Sequence, residues 1–150
     1  MIEAMPSSIT SVDDSALVPV GTRTFVGVNE YIYLKGVAST VAGSVVHYDE
    51  VGVTALAVAD GKGAIAIAQA AVVANKYGWY LINGSSQGLV LTGFADNGDL
   101  YLTATAGSLD DAVVDGDRVH NAWGRSAISS GKALLEIHYA YTDNILDAVV

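Results

Sequence analysis

Between Asn75 and Ala112 apolar and aromatic positions alternate with turn residues, in the run NKYGWYLINGSSQGLVLTGFADNGDLYLTATAGSLDDA. The alternation predicts three short strands, over 77–83, 87–94 and 99–106, joined at Asn83-Gly84-Ser85 and at Asp96-Asn97-Gly98-Asp99. Asn-Gly between alternating apolar runs favours a hairpin, because both central residues of the preferred turn need φ > 0. The expected product is a meander, with no residue in it placed like a catalytic group.

The same period-two pattern recurs on both sides of that stretch. Over 30–37, Tyr31, Tyr33 and Lys35 alternate with Ile32, Leu34 and Gly36, as in a half-buried strand. Segments 44–49 and 53–59 predict a pair around Glu50-Val51-Gly52, and Asp60-Gly61-Lys62-Gly63 then turns the chain into a strand over 63–68. The Ala-rich stretch 69–75 fits either a strand continuation or a helical turn. Two further strands are expected over 119–123 and 134–141. The second sets Leu135, Ile137, Tyr139 and Tyr141 on one face and Glu136 and His138 on the other. Strands at this spacing with Gly-rich turns predict an all-β fold, a small β-sandwich or barrel-like single domain, rather than βαβ units.

Residues 1–21 differ. They carry Pro6, Pro19, several Ser and Thr, and Asp13-Asp14, without sustained alternation. They predict an extended N-terminal arm that orders only against a partner, because they lack an apolar face to offset the entropy of ordering. The β-rich body is then 22–150.

Composition narrows the class. A chain of 150 residues supports one core, burying roughly 68–70% of the unfolded chain's surface. The longest apolar stretch, 64–74, is interrupted by Gln69 and falls short of the ~20 residues of a membrane helix. The chain opens Met-Ile-Glu-Ala-Met-Pro, without the basic-then-apolar pattern of a secretory signal, so a soluble protein made in the cytoplasm is expected. Zero cysteines remove disulfides, thiolate nucleophiles and cysteine metal sites together. Sixteen carboxylates against seven Lys and Arg give a formal charge of −9, which opposes phosphate backbones and anionic lipid, so neither nucleic acid nor membrane is an expected partner.

Four patterns carry candidate chemistry. Gly84-Ser85-Ser86-Gln87-Gly88 matches the G-x-S-x-G pattern of a nucleophile elbow, but that motif needs a helix after the serine and a β-run follows here. His47, His120 and His138 sit in separate strand-like segments without the spacing of a paired metal site. Asp110, Asp111, Asp115 and Asp117 crowd around Gly116, with hard-oxygen density suited to calcium but not the EF-hand spacing. Gly131-Lys132 lacks the upstream glycine and the Ser/Thr of a phosphate loop. No catalytic, cofactor-binding or metal-binding residue is therefore assigned, and the chain is not expected to be an enzyme. The aromatics Trp79, Tyr80, Trp123 and Tyr31, Tyr33, Tyr101, Tyr139 and Tyr141 invite a sugar-stacking platform. Alternation puts Trp79 and Tyr80 on opposite faces, so one of such a pair is core or interface.

The segments NEYIYLKGVAST (29–40), GSVVHYDE (43–50), NKYGWYLINGSSQGLVL (75–91), ADNGDLYLTATAGSLDDA (95–112) and GDRVHNAWGRSAI (116–128) together resemble, in order, small virion proteins of tailed bacteriophages, the head decoration or capsid cement proteins. The resemblance spans about 29–141. It implies a β-rich module on the outside of the icosahedral shell that contacts the major capsid protein and often trimerises at local symmetry axes. On that reading the chain is a structural virion protein, homotrimeric, made in the host cytoplasm, and attached through its arm and one face of the body. The alternative is a glycan-binding module of a phage fibre or spike.

Overall fold

The computed structural model of the chain describes residues 8–146. Among them are eleven strands and no helix. They are β1 (Val12–Asp13), β2 (Arg23–Val26), β3 (Asn29–Lys35), β4 (Val45–Tyr48), β5 (Thr54–Leu56), β6 (Gly63–Ala68), β7 (Tyr77–Leu89), β8 (Asp99–Leu102), β9 (Leu109–Asp110), β10 (Arg118–Gly124) and β11 (Lys132–Thr142). Every named strand pair is antiparallel, and the main path runs β2-β3-β7-β6-β11-β10-β8-β9, with β4 on β6 and β5 on β4. This is an all-β single domain.

The expected hairpin at Asn83-Gly84-Ser85 is absent, and β7 runs through it as one strand of 13 residues. An Asn-Gly pair closes a hairpin only when its flanks pair with each other, and here each flank finds a different partner. Residues 77–83 pair with β3, while 83–89 pair with β11. The φ of 126° at Gly84 serves a bend instead of a turn. A methyl there would overlap Asn29 Oδ1, because the Asn29 side chain fills the concave side of the bend. From that position its Nδ2 donates to Ser85 O and Tyr31 OH (both 3.1 Å), and its Oδ1 accepts from Ser85 N (3.2 Å).

Beyond the bend, β7 and β11 separate and β6 wedges between them, paired to β7 at Ile67↔Leu81 and to β11 at Tyr141↔Ala64. The separation coincides with Tyr139, whose φ of 51° is left-handed. That residue also reverses the phase of β11. Ala133, Leu135 and Ile137 are buried before it, Ala140 and Thr142 after it. Tyr139 and Tyr141, expected on the face of Leu135 and Ile137, therefore point to the opposite, exposed side.

Strand β3 is buried on both faces rather than on one. Tyr31 and Tyr33 enter the larger core with Trp79, Leu81, Leu100, Leu102, Leu135 and Ile137. Ile32 and Leu34 enter a second core with Val46, Ala66, Val72, Tyr80 and Ile82. Trp79 and Tyr80 do alternate, but both are buried because each face of β7 meets a core. Segment 69–75 forms bends and a turn, with neither helix nor strand.

Residues 8–21 form turns and bends around the two-residue strand β1, and they are tied to the chain's own body. Val12 and Asp13 pair with Gly78 and Tyr77. Tyr33 OH donates to Asp13 Oδ2 (2.5 Å) and accepts from Leu17 N (3.3 Å), and Lys76 Nζ meets Asp14 Oδ1 at 2.5 Å. Ile9 and Val18 pack on the larger core. The missing apolar period is offset by polar anchors that no pattern in 1–21 announces. Residues 1–7 of the expected arm, and 147–150 at the other end, lie outside the described residues.

Candidate docking face

The reactive side chains singled out in the sequence are held apart. Ser86 lies mid-strand, opposite Leu135, with its Oγ bonded by Gln69 Nε2 (3.2 Å), and no helix follows it. Asp117 Oδ1 accepts from Asp60 N (2.7 Å) and Asp111 Oδ2 from Ala95 N (2.9 Å), so these two carboxylates pin separate loops. Lys132 follows a tight turn at Ser130-Gly131. Among the described residues no three His, Asp or Glu converge as metal ligands.

Each histidine has its own setting. His47 lines an open groove of about 200 Å³ with Tyr48, Asp49, Val53, Thr54, Ala55 and Lys62. The Thr142 hydroxyl donates to Gly61 O (2.9 Å), so it accepts from His47 (2.7 Å), which places a proton on Nε2. Burial of His47 lowers its pKa and so favours the neutral ring. His120 stacks on Tyr141 (4.9 Å between ring centres) and faces Asp143 (3.4 Å). His138 Nε2 donates to Glu136 Oε2 (2.6 Å), and its Nδ1 lies 2.7 Å from the Asn83 side chain.

His120 and His138 belong to a larger surface. The register of β2, β3, β7, β11 and β10 places Phe25 beside Glu30, Glu30 beside Asn83, Asn83 beside His138, and Glu136 beside Trp123. Asp99 continues the row on β8. Cross-strand partners share a face, so these side chains form one continuous outer surface. The four most exposed aromatic rings are Phe25, Tyr139, Tyr141 and Trp123, at 59, 50, 43 and 37% exposure, and all project from it.

All three arginines of the chain lie on this surface as well, each against a carboxylate. Arg23 stands 3.7 Å from Glu30, Arg118 3.7 Å from Asp99, and Arg125 2.8 Å from Glu136. Arg125 also covers Trp123 (5.7 Å) and reaches Asn97 Oδ1 (3.3 Å). Its hydrogen bond, followed by that of His138, holds the Glu136 carboxyl below the usual range. Glu30 is 5% exposed and accepts a short hydrogen bond from Tyr139 OH. Tyr139 reaches it from the far side of β7, and the bond pushes the phenol pKa upward. A carboxylate so deeply covered is tolerable only when paired and hydrogen-bonded.

Sequence reasoning found Trp123, Tyr139, Tyr141, His120 and His138 but missed Phe25, Glu30, Asn83 and the arginines. The spacing of Trp123 to Arg125 and of Glu136 to His138 is a same-face signal on each strand. The register that joins the strands is not written locally. Comparison with protein-family models, curated proteins and solved structures gave no match.

Proposed function

We propose that this chain is a structural virion protein that decorates and stabilises the outer surface of a tailed-phage capsid by binding the major capsid protein. The observation that supports it best is the outer face itself: aromatic and arginine side chains gathered on a rigid β body, with the reactive groups elsewhere held apart. Arg, Tyr and Trp are the side chains enriched in protein contacts. The order of motifs over 29–141 supplies the identity of the partner, and extends the proposal to a homotrimer at local symmetry axes. A glycan-binding role would use open ring faces. Here Arg125 lies over Trp123 and His120 stacks on Tyr141, which favours the protein reading.

The test is attachment to phage heads assembled without the protein. Purified chain should co-sediment with such heads and add density to their outer surface in electron microscopy. Failure to bind at saturating concentration overturns the assignment.

A further inference from the structure

We infer that the outer face of β2, β3, β7, β11 and β10, and not the 8–21 segment, meets the shell, and that it docks on a near-neutral protein surface. This rests on the virion reading above. The charge distribution is the first support. The chain carries −9 overall, yet on this face Arg23, Arg118 and Arg125 sit against Glu30, Asp99 and Glu136, and His120 and His138 against Asp143 and Glu136. Nearly all of the uncompensated charge therefore lies elsewhere. Covering an unpaired carboxylate costs far more than covering one already paired. An acidic protein can be covered here, and a cationic partner is not required.

The second support is preorganisation. Trp123 is held between Arg125 and His138, and Tyr139 is held by Glu30. Side chains fixed before docking lose little rotamer entropy on contact. The 8–21 segment has no aromatic ring to offer, and its Asp13, Asp14 and Leu17 amide are committed to Tyr33 and Lys76 of the body.

The size of the face sets the sensitivity of the test. Five strands span about 19 Å and residues 136–141 about 17 Å along the strand. On a patch of these dimensions a few central anchors carry most of the binding energy.

The experiment is co-sedimentation of the full chain with decoration-free heads, for wild type and single variants, with thermal midpoint and far-UV circular dichroism verifying that each variant folds. Phe25→Ser and Trp123→Ser, both exposed, should each weaken attachment about tenfold or more. Leu17→Ser and Asp14→Asn on the N-terminal segment should leave it within about twofold of wild type. Raising sodium chloride from about 50 to about 300 mM should change the affinity less than about threefold, as neutral contacts do. Normal binding by both folded face variants, or a tenfold loss with Leu17→Ser, overturns the choice of face. A steep salt dependence overturns the near-neutral partner while leaving the virion reading intact. If wild type ignores heads yet is retained on host-cell polysaccharide, the capsid-decoration reading falls and this inference falls with it.

Discussion

Replacing Gly84 with alanine tests whether β7 is one bent strand or two strands joined by a turn. The new methyl forces a side chain onto a backbone with φ of 126°, a cost of about 1–3 kcal/mol. It also overlaps the Asn29 amide and evicts it from the bend. Asn29 then forfeits its hydrogen bonds to Ser85 N, Ser85 O and Tyr31 OH, worth about 2–3 kcal/mol together at about 1 kcal/mol net each. Gly84→Ala should therefore cost about 3–6 kcal/mol, a large share of a typical domain's ~5–15 kcal/mol. Asn29→Ala alone should cost about 2–3 kcal/mol. The double variant should be no less stable than Gly84→Ala, because those hydrogen bonds are already lost. The cycle is then non-additive by about 2–3 kcal/mol. Urea unfolding midpoints at constant m-value measure each term. A turn at Asn83-Gly84 would leave residue 29 unconnected to residue 84, and the two costs would simply add. Additivity, or a Gly84→Ala protein within about 1 kcal/mol of wild type, would refute the bent strand.

Two further outcomes follow from the anchors of the N-terminal segment and from His47. Tyr33→Phe removes the hydroxyl that bonds Asp13 and Leu17. It should speed hydrogen exchange at the Val12, Asp13 and Leu17 amides while those of β7 and β11 stay protected; unchanged exchange in the segment would show that the hydroxyl is no anchor. Burial lowers the His47 pKa below 6.5, so between that value and the folded-state pKa the unfolded chain binds the extra proton and the folded chain does not. The resulting stability is fully present above about pH 6.5 and is lost as pH falls through the folded pKa. His47→Gln should remove this dependence, and a wild-type-to-variant stability difference that stays flat with pH below 6.5 would contradict it.

The sequence by itself determined the class and most of the strands. Period-two alternation marked 30–37, 44–49, 63–68, 119–123 and 134–141 close to their observed limits, because a strand's inward and outward positions are a local property. That no helix follows Ser86 was legible too, because the alternating run continues past it. What it could not determine was pairing. Asn83-Gly84 carries the local signature of a turn, and only β3 on one side and β11 on the other make it a bend within a single strand. Tyr139 breaks the alternation of β11 through one left-handed residue, which moves two tyrosines from the face of Leu135 and Ile137 to the opposite, exposed one. The docking face is a product of that register. Phe25 and Glu30 share the β2–β3 hairpin, but Asn83 and His138 lie on strands far from it and from each other in the chain, and the four become one row only once the sheet forms. The N-terminal segment was likewise decided by tertiary structure, because a tyrosine hydroxyl from β3 and a lysine just before β7 hold it where its own sequence has no apolar period. Local sterics and burial write alternation into a sequence, whereas register and charge pairing depend on which distant strands the sheet brings side by side.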